Sequence, residues 1–170
     1  MILGIDQGSS HTRAVLFSDH GRKIAEGAAP LPTYYPQPEY VEHDPKALLK
    51  SVYTAIRAVL KKNDKKKIAA IGITNQRSTV LCWDCKTGEP LSPAISWQDR
   101  RTSGALRKWE SRSIQNKTGL PLNCHYSATK LSRLLDQIGR KRKNLVAGTV
   151  NTFLIWHLTQ GKTHLTDPTN

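Results

Sequence analysis

The sequence predicts an α/β domain in which a mixed sheet opens with an antiparallel N-terminal meander and is flanked by helices. Three observations predict it. Short apolar segments alternate with turns over residues 2–29, a 3,4-spaced amphipathic stretch follows Asp44, and an apolar run at 68–73 returns to strand character. Strands, then a helix, then a buried strand is the order of a layered α/β domain; the pattern does not fix strand order.

Ile2–Ile5 reads as a short buried strand, and Asp6-Gln7-Gly8-Ser9-Ser10 as a polar turn. Thr12–Phe17 alternates, with Ala14 and Leu16 on one face and Val15 and Phe17 on the other. Asp19–Arg22 is a hairpin turn and Lys23–Ala29 the third strand. Pro30–Tyr40, rich in Pro and Tyr, is a loop. Asp44 caps a helix that Pro45 opens, and Leu48, Leu49, Val52, Ile56, Val59 and Leu60 form its apolar face. The lysines between 61 and 67 close it in solvent, where they suit the negative end of the helix dipole. Ile68–Ile73 reads as a buried strand and Thr79–Trp83 as another, ended by a turn at Lys86–Pro90. Three helices are then expected, at Asp99–Glu110, Ser127–Ile138 and Gly148–Leu158.

At 170 residues with 38% hydrophobic and 23% charged content, the chain can bury a sizeable core as one domain. No apolar run approaches the ~20 residues of a membrane span. The N-terminus lacks the basic start and long apolar stretch of a signal peptide. Cys82, Cys85 and Cys124 are too few, and odd in number, for a disulfide framework, so a cytoplasmic protein is expected. The Cys82-x-x-Cys85 spacing has no second pair to complete a metal site; it reads as a core cysteine followed by a turn cysteine. The net charge of +13 is concentrated at Arg100–Lys117 and Lys130–Lys143. It suits a solvated basic face or attraction of an anionic nucleotide. No helix-turn-helix, zinc-finger or RNP-type pattern points to specific nucleic-acid binding.

Three segments could carry chemistry. In Asp6–Ser10, a tight turn can gather backbone N–H groups into a phosphate nest, with the Ser9 and Ser10 hydroxyls as donors and Gly8 allowing close approach. Asp6 could hold Mg²⁺ and Arg13 add charge; the same residues also read as an ordinary Gly-Ser hairpin turn. In Gly72–Arg77, at a strand end, Gln76 and Arg77 could bond substrate hydroxyls, or Arg77 could simply pair with a carboxylate. In Ala94–Arg101, Trp97 among polar groups suits the wall of a sugar pocket, or equally a core tryptophan before a helix. His125 reads either as a ligand contact or as a surface residue. No nucleophile with an adjacent base is legible.

Together, Gly4–Ser10, Val41–Pro45, Ile68–Arg77, Ala94–Thr102, Tyr126–Lys130, Gly148–Trp156 and Thr166–Asn170 resemble, in order and spacing, the FGGY carbohydrate kinases, and among them the glycerol kinases. The resemblance implies a ribonuclease H-like, actin-like ATPase fold. It implies that residues 1–170 are the N-terminal domain, with the C-terminal domain and the catalytic Asp base expected beyond Asn170 and the fragment inactive alone. The implied reaction is phosphoryl transfer from ATP, with Mg²⁺, to a hydroxyl of glycerol or a related polyol or sugar, without nucleic acid or membrane as partner. Homo-oligomers of the full-length protein are compatible with it. Asp6, Gln7, Gly8, Ser9, Ser10 and Arg13 correspond to the ATP phosphate-binding turn, with Asp6 at the metal. Arg77, Ser78, Trp97 and His125 occupy substrate-contacting positions. The glycerol kinases have Glu where this chain has Ser78, and Tyr where it has His125. Asn151 stands for a usual Asp, and Ser9-Ser10 for a Thr pair. Losing a buried acceptor at Ser78 shifts discrimination among polyols. A pentulose kinase similar to xylulokinase, and a non-catalytic sugar- or nucleotide-binding relative, are therefore the alternative readings.

Overall fold

The computed structural model describes residues 1–109 and 111–170. Contacts divide the chain into two compact units, Met1–Thr33 with His43–Gln76, and Tyr34–Glu42 with Arg77–Asn170.

In the first unit β1 (Ile2–Gln7), β2 (His11–Phe17) and β3 (Lys23–Pro30) form the expected antiparallel meander. β5 (Ala70–Asn75) joins β1 in parallel, giving a mixed sheet of order β3-β2-β1-β5. The period-2 alternation is realised: Leu3, Ile5, Ala14 and Leu16 are buried on the face that α1 (Pro45–Leu60) covers with Leu48, Val52, Ala55 and Val59. Asp44 caps α1 by accepting from the Lys46 N–H at 2.9 Å. β3 can lie close to α1 because Gly27 has no side chain; a Cβ there would stand 2.5 Å from the Ala55 carbonyl oxygen.

One expectation fails here. The apolar run at 68–73 was expected to be a buried strand, yet β5 is largely exposed, with Ile71 at 51%. Its partner is β1 on one side, and α1 lies over the meander rather than over β5. An apolar run shows a capacity for burial; the edge position decides whether it is used.

A second four-stranded sheet, β7, β6 and β8 of which belong to the second unit, has the order β4-β7-β6-β8, formed by β4 (Glu42–His43), β7 (Ala94–Ile95), β6 (Val80–Asp84) and β8 (Leu145–Thr149). Of this second sheet only β6 is legible in the sequence, as the strand expected at Thr79–Trp83; its partners are not. α2 spans Ser111–Thr118, α3 Ser127–Ile138 and α4 Val150–Leu158. α3 packs Leu134 against Val80, Cys82 and Ile95. The helix expected over Gly148–Leu158 begins at Val150, because Gly148 and Thr149 belong to β8. The helix expected over Asp99–Glu110 is a 3₁₀ segment at Ser103–Lys108, and Glu110 lies outside the described residues. Cys82 is buried on β6 and Cys85 exposed in the following turn, as read from sequence. Among the described residues no helix is long and apolar enough to cross a membrane.

Candidate functional site

The β1–β2 turn is built by its own hydrogen bonds. The Gly8 N–H donates to the His11 carbonyl at 3.0 Å, and a Cβ on Gly8 would stand 3.1 Å from that oxygen. The missing side chain therefore serves the turn itself, and the Gly8 N–H is not among the amides offered to a ligand. Gln7 is fully buried beneath the turn and donates to the Gly8 carbonyl at 2.6 Å. Gln76 braces it from the end of β5, with its side-chain amide donating to Gln7 Oε1 and to the Gly8 carbonyl, both at 3.2 Å. Gln76 thus supports the turn, which corrects the reading that gave it substrate hydroxyls. Ser9 and Ser10 lie at the crest, and among the described residues no partner is found for their amides. The Ser10 hydroxyl meets His11 Nδ1 at 3.2 Å. Asp6 and Arg13 are register partners, both exposed, on the outward face of the sheet. Arg13 also pairs with Glu26 at 3.3 Å across open surface.

The second unit brings together the other predicted residues. Arg77, Ser78, His125, Tyr126 and Asn170 line a cavity of about 550 Å³. Trp97 and His125 line a neighbouring one of about 400 Å³ with Asp99 and Cys124. The Trp97 and His125 rings lie 5.4 Å apart, and His125 meets Tyr126 edge-on at 5.1 Å. Ser78 is buried and holds a left-handed backbone, φ +64°, an uncommon conformation for a residue with a side chain. Burial pushes the His125 pKa down from its ordinary value, and the charges of Lys130 and Arg77 push it further. The imidazole is therefore neutral at pH 7, with one donor and one acceptor nitrogen, as a polyol hydroxyl requires. A guanidinium, a hydroxyl, a neutral imidazole and an indole face are the groups of a site for a polyhydroxy molecule.

Support for this wall comes from residues the sequence did not single out. Lys130, on α3, is fully buried and donates to the carbonyls of Ser96 at 3.1 Å and His125 at 2.7 Å. Burial lowers its pKa to about 8, against the opposing pull of the Asp99 carboxylate. Asp99, also fully buried, accepts from the Val41 N–H at 2.7 Å and from Arg101 through both of its oxygens. Arg101 reaches Glu42 at 2.6 Å and stacks on Tyr40, 3.8 Å from the ring centroid. In the sequence Lys130 resembles any solvated helix lysine, and only its place one turn before Leu134 on the apolar stripe hints at burial. Near Arg77, the Asp167 carboxyl is held below its ordinary range by the Thr169 hydroxyl and backbone and by Asn170, with a smaller contribution from Arg77.

Comparison with known proteins identifies the family. The model of the FGGY family of carbohydrate kinases, N-terminal domain, matches residues 1–170. A glycerol kinase of Marinomonas sp. (strain MWYL1) is 43% identical over 180 residues, covering 99% of this chain and 36% of that protein. Glycerol kinase 1 of Saccharolobus solfataricus is 42% identical, covering 99% of this chain and 35% of that protein. The crystal structure of Plasmodium falciparum glycerol kinase with ADP superposes with a TM-score of 0.85 at 32% identity, over 94% of this chain and 34% of that one. The chain thus spans about a third of the length of these relatives. The architecture is the expected actin-like ATPase fold. On the match over its whole length, this chain belongs to the FGGY family of carbohydrate kinases.

Proposed function

We propose that the protein containing this chain transfers the γ-phosphoryl group of ATP to a hydroxyl of glycerol or a related polyol or sugar. The observation that carries the reading is the convergence of Arg77, Ser78, Trp97 and His125 on adjoining cavities of one unit. Their chemistry suits hydroxyl recognition, and the similarity to glycerol kinases supports the same substrate class.

Residues 1–170 are then part of the N-terminal domain of a longer enzyme, with the base that accepts the hydroxyl proton beyond Asn170. The Asp6–Ser10 turn would hold the phosphates of ATP. Its free amides at Ser9 and Ser10, and their hydroxyls, fit an anion. Among the described residues no group of three or more His, Cys, Asp or Glu is placed to hold a metal ion. The exposed Asp6 carboxylate suits Mg²⁺ that keeps most of its water and is carried mainly by the phosphates. Mg²⁺ bound there would neutralise phosphate charge. Arg77 and His125 would orient the substrate hydroxyls, and Trp97 would offer its face to the carbon chain. Three free cysteines suit a reducing cytoplasm.

A second substrate reading rests on Ser78. A buried serine in place of a carboxylate offers a weaker acceptor, which favours a larger polyol or a ketose over glycerol. The deciding measurement is ADP release by the full-length protein with ATP, Mg²⁺ and a panel of glycerol, longer polyols and pentuloses. Preference for glycerol would show that Ser78 and His125 are tolerated variations. Preference for a ketose would make them the specificity determinants, and turnover of none would favour a binding protein without catalysis.

A further inference from the structure

Lys130 lines neither cavity, yet its ammonium holds both walls of the site. The carbonyl of Ser96 belongs to the peptide group whose N–H is that of Trp97. That N–H donates to Thr79 Oγ1 at 3.1 Å, while Lys130 Nζ donates to the carbonyl at 3.1 Å. Both ends of the peptide that carries the indole are therefore fixed, one by Lys130 and the other by the residue that follows Ser78. The second Lys130 contact, 2.7 Å to the carbonyl of His125, holds the peptide joining His125 to Tyr126, and both of those side chains line the larger cavity.

A buried ammonium is costly unless its hydrogens are used and its charge is balanced. Here two of the three N–H donors go to carbonyls of the site, and the nearby Asp99 carboxylate offsets part of the cost of burying the charge. A lysine needed only to fill the gap between α3 and β6 would be replaced by an apolar residue with no such cost. We infer that Lys130 is a positioning residue for the polyol pocket, fixing the separation of Trp97 and His125 and thereby setting affinity for the acceptor substrate rather than for ATP. This rests on the kinase reading above.

The test compares wild type, Lys130→Met and Lys130→Gln in the full-length protein, with KM for the acceptor and KM for ATP measured separately. Methionine fills much of the same volume without donors, and glutamine returns N–H donors without charge. The expected result is a rise of about tenfold or more in acceptor KM for Lys130→Met, with ATP KM within about twofold of wild type. Lys130→Gln is expected to recover part of the loss. A lysine that served stability alone would reduce the amount of folded enzyme and leave both KM values in place. An unchanged acceptor KM in Lys130→Met overturns the inference, as does failure of both variants to fold, which would assign Lys130 to stability. A wild-type protein that turns over no member of the panel sinks the kinase reading itself, and the inference falls with it. An active wild type with an unmoved variant sinks the inference alone.

Discussion

Asp99 is fully buried and bears a charge, which folding tolerates only when each oxygen is engaged. The Val41 N–H, the Arg101 N–H and the Arg101 guanidinium engage them. Asp99→Asn would leave Arg101, itself only 5% exposed, with Glu42 as its remaining carboxylate. The expected cost is about 3–5 kcal/mol of unfolding free energy, measured by urea denaturation; a loss near zero would mean that the pair is hydrated in solution. Lys130 gives a pH dependence of determinate sign. Its folded pKa of about 8 lies below the ordinary 10.5, so between those values the unfolded chain binds more protons. Stability should therefore rise as pH climbs from 8 towards 10.5, on the order of 3 kcal/mol relative to Lys130→Met. The titratable groups acting on it are Asp99, Cys124 and Arg101. Matching pH profiles for the two proteins would contradict this. In the sequence Asp99 looked like the start of a helix and Lys130 like one more surface cation. Burial of a charge is decided by neighbours distant in the chain, and those neighbours leave no local periodicity to read.

At the level of single elements, α1 was legible because every local signal agreed: cap, Pro at the first turn, and a 3,4 stripe. What the stripe does not show is how closely the helix approaches β3. Gly27 sets that approach, since a Cβ would meet the Ala55 carbonyl at 2.5 Å and the Ala58 Cβ at 2.7 Å. Gly27→Ala should cost about 1–3 kcal/mol through overpacking, lowering the urea midpoint at constant slope. A neutral result would show that α1 can ride outwards freely. β8 was missed for a different reason. Leu145–Thr149 runs directly into the apolar α4, so strand and helix merge into one hydrophobic stretch with no turn residue between them. The change of conformation occurs at Thr149, φ −81° and ψ 170°, without a side-chain capping bond. At the candidate site, Arg77 was legible as a residue at a strand end and Trp97 as an aromatic among polar groups, whereas the bracing by Gln76 depends on the pairing of β1 with β5.

At the scale of the whole molecule, the net charge of +13 resides partly in the exposed run Arg140–Lys143, where Arg140 pairs with Asp136 at 2.7 Å. Such a surface attracts any polyanion. Weak duplex DNA binding is expected at about 50 mM salt and should vanish by about 200 mM. Binding that survived added salt and preferred one sequence would point instead to a specific nucleic-acid partner. The meander was readable because its strands are neighbours in the chain. The second sheet was not, since its β6–β8 pairing joins Val80 to Thr149 across most of that unit. The same long-range wiring constrains anyone who recombines this chain with a relative. Glu42, Asp99, Arg101 and Lys130 carry two negative and two positive charges, and they come from three separate stretches of sequence. A crossover between positions 42 and 99, or between 101 and 130, can split that set and give a hybrid with an odd charge and no water to dissolve it. These four positions should be inherited as one block, whichever parent supplies the rest.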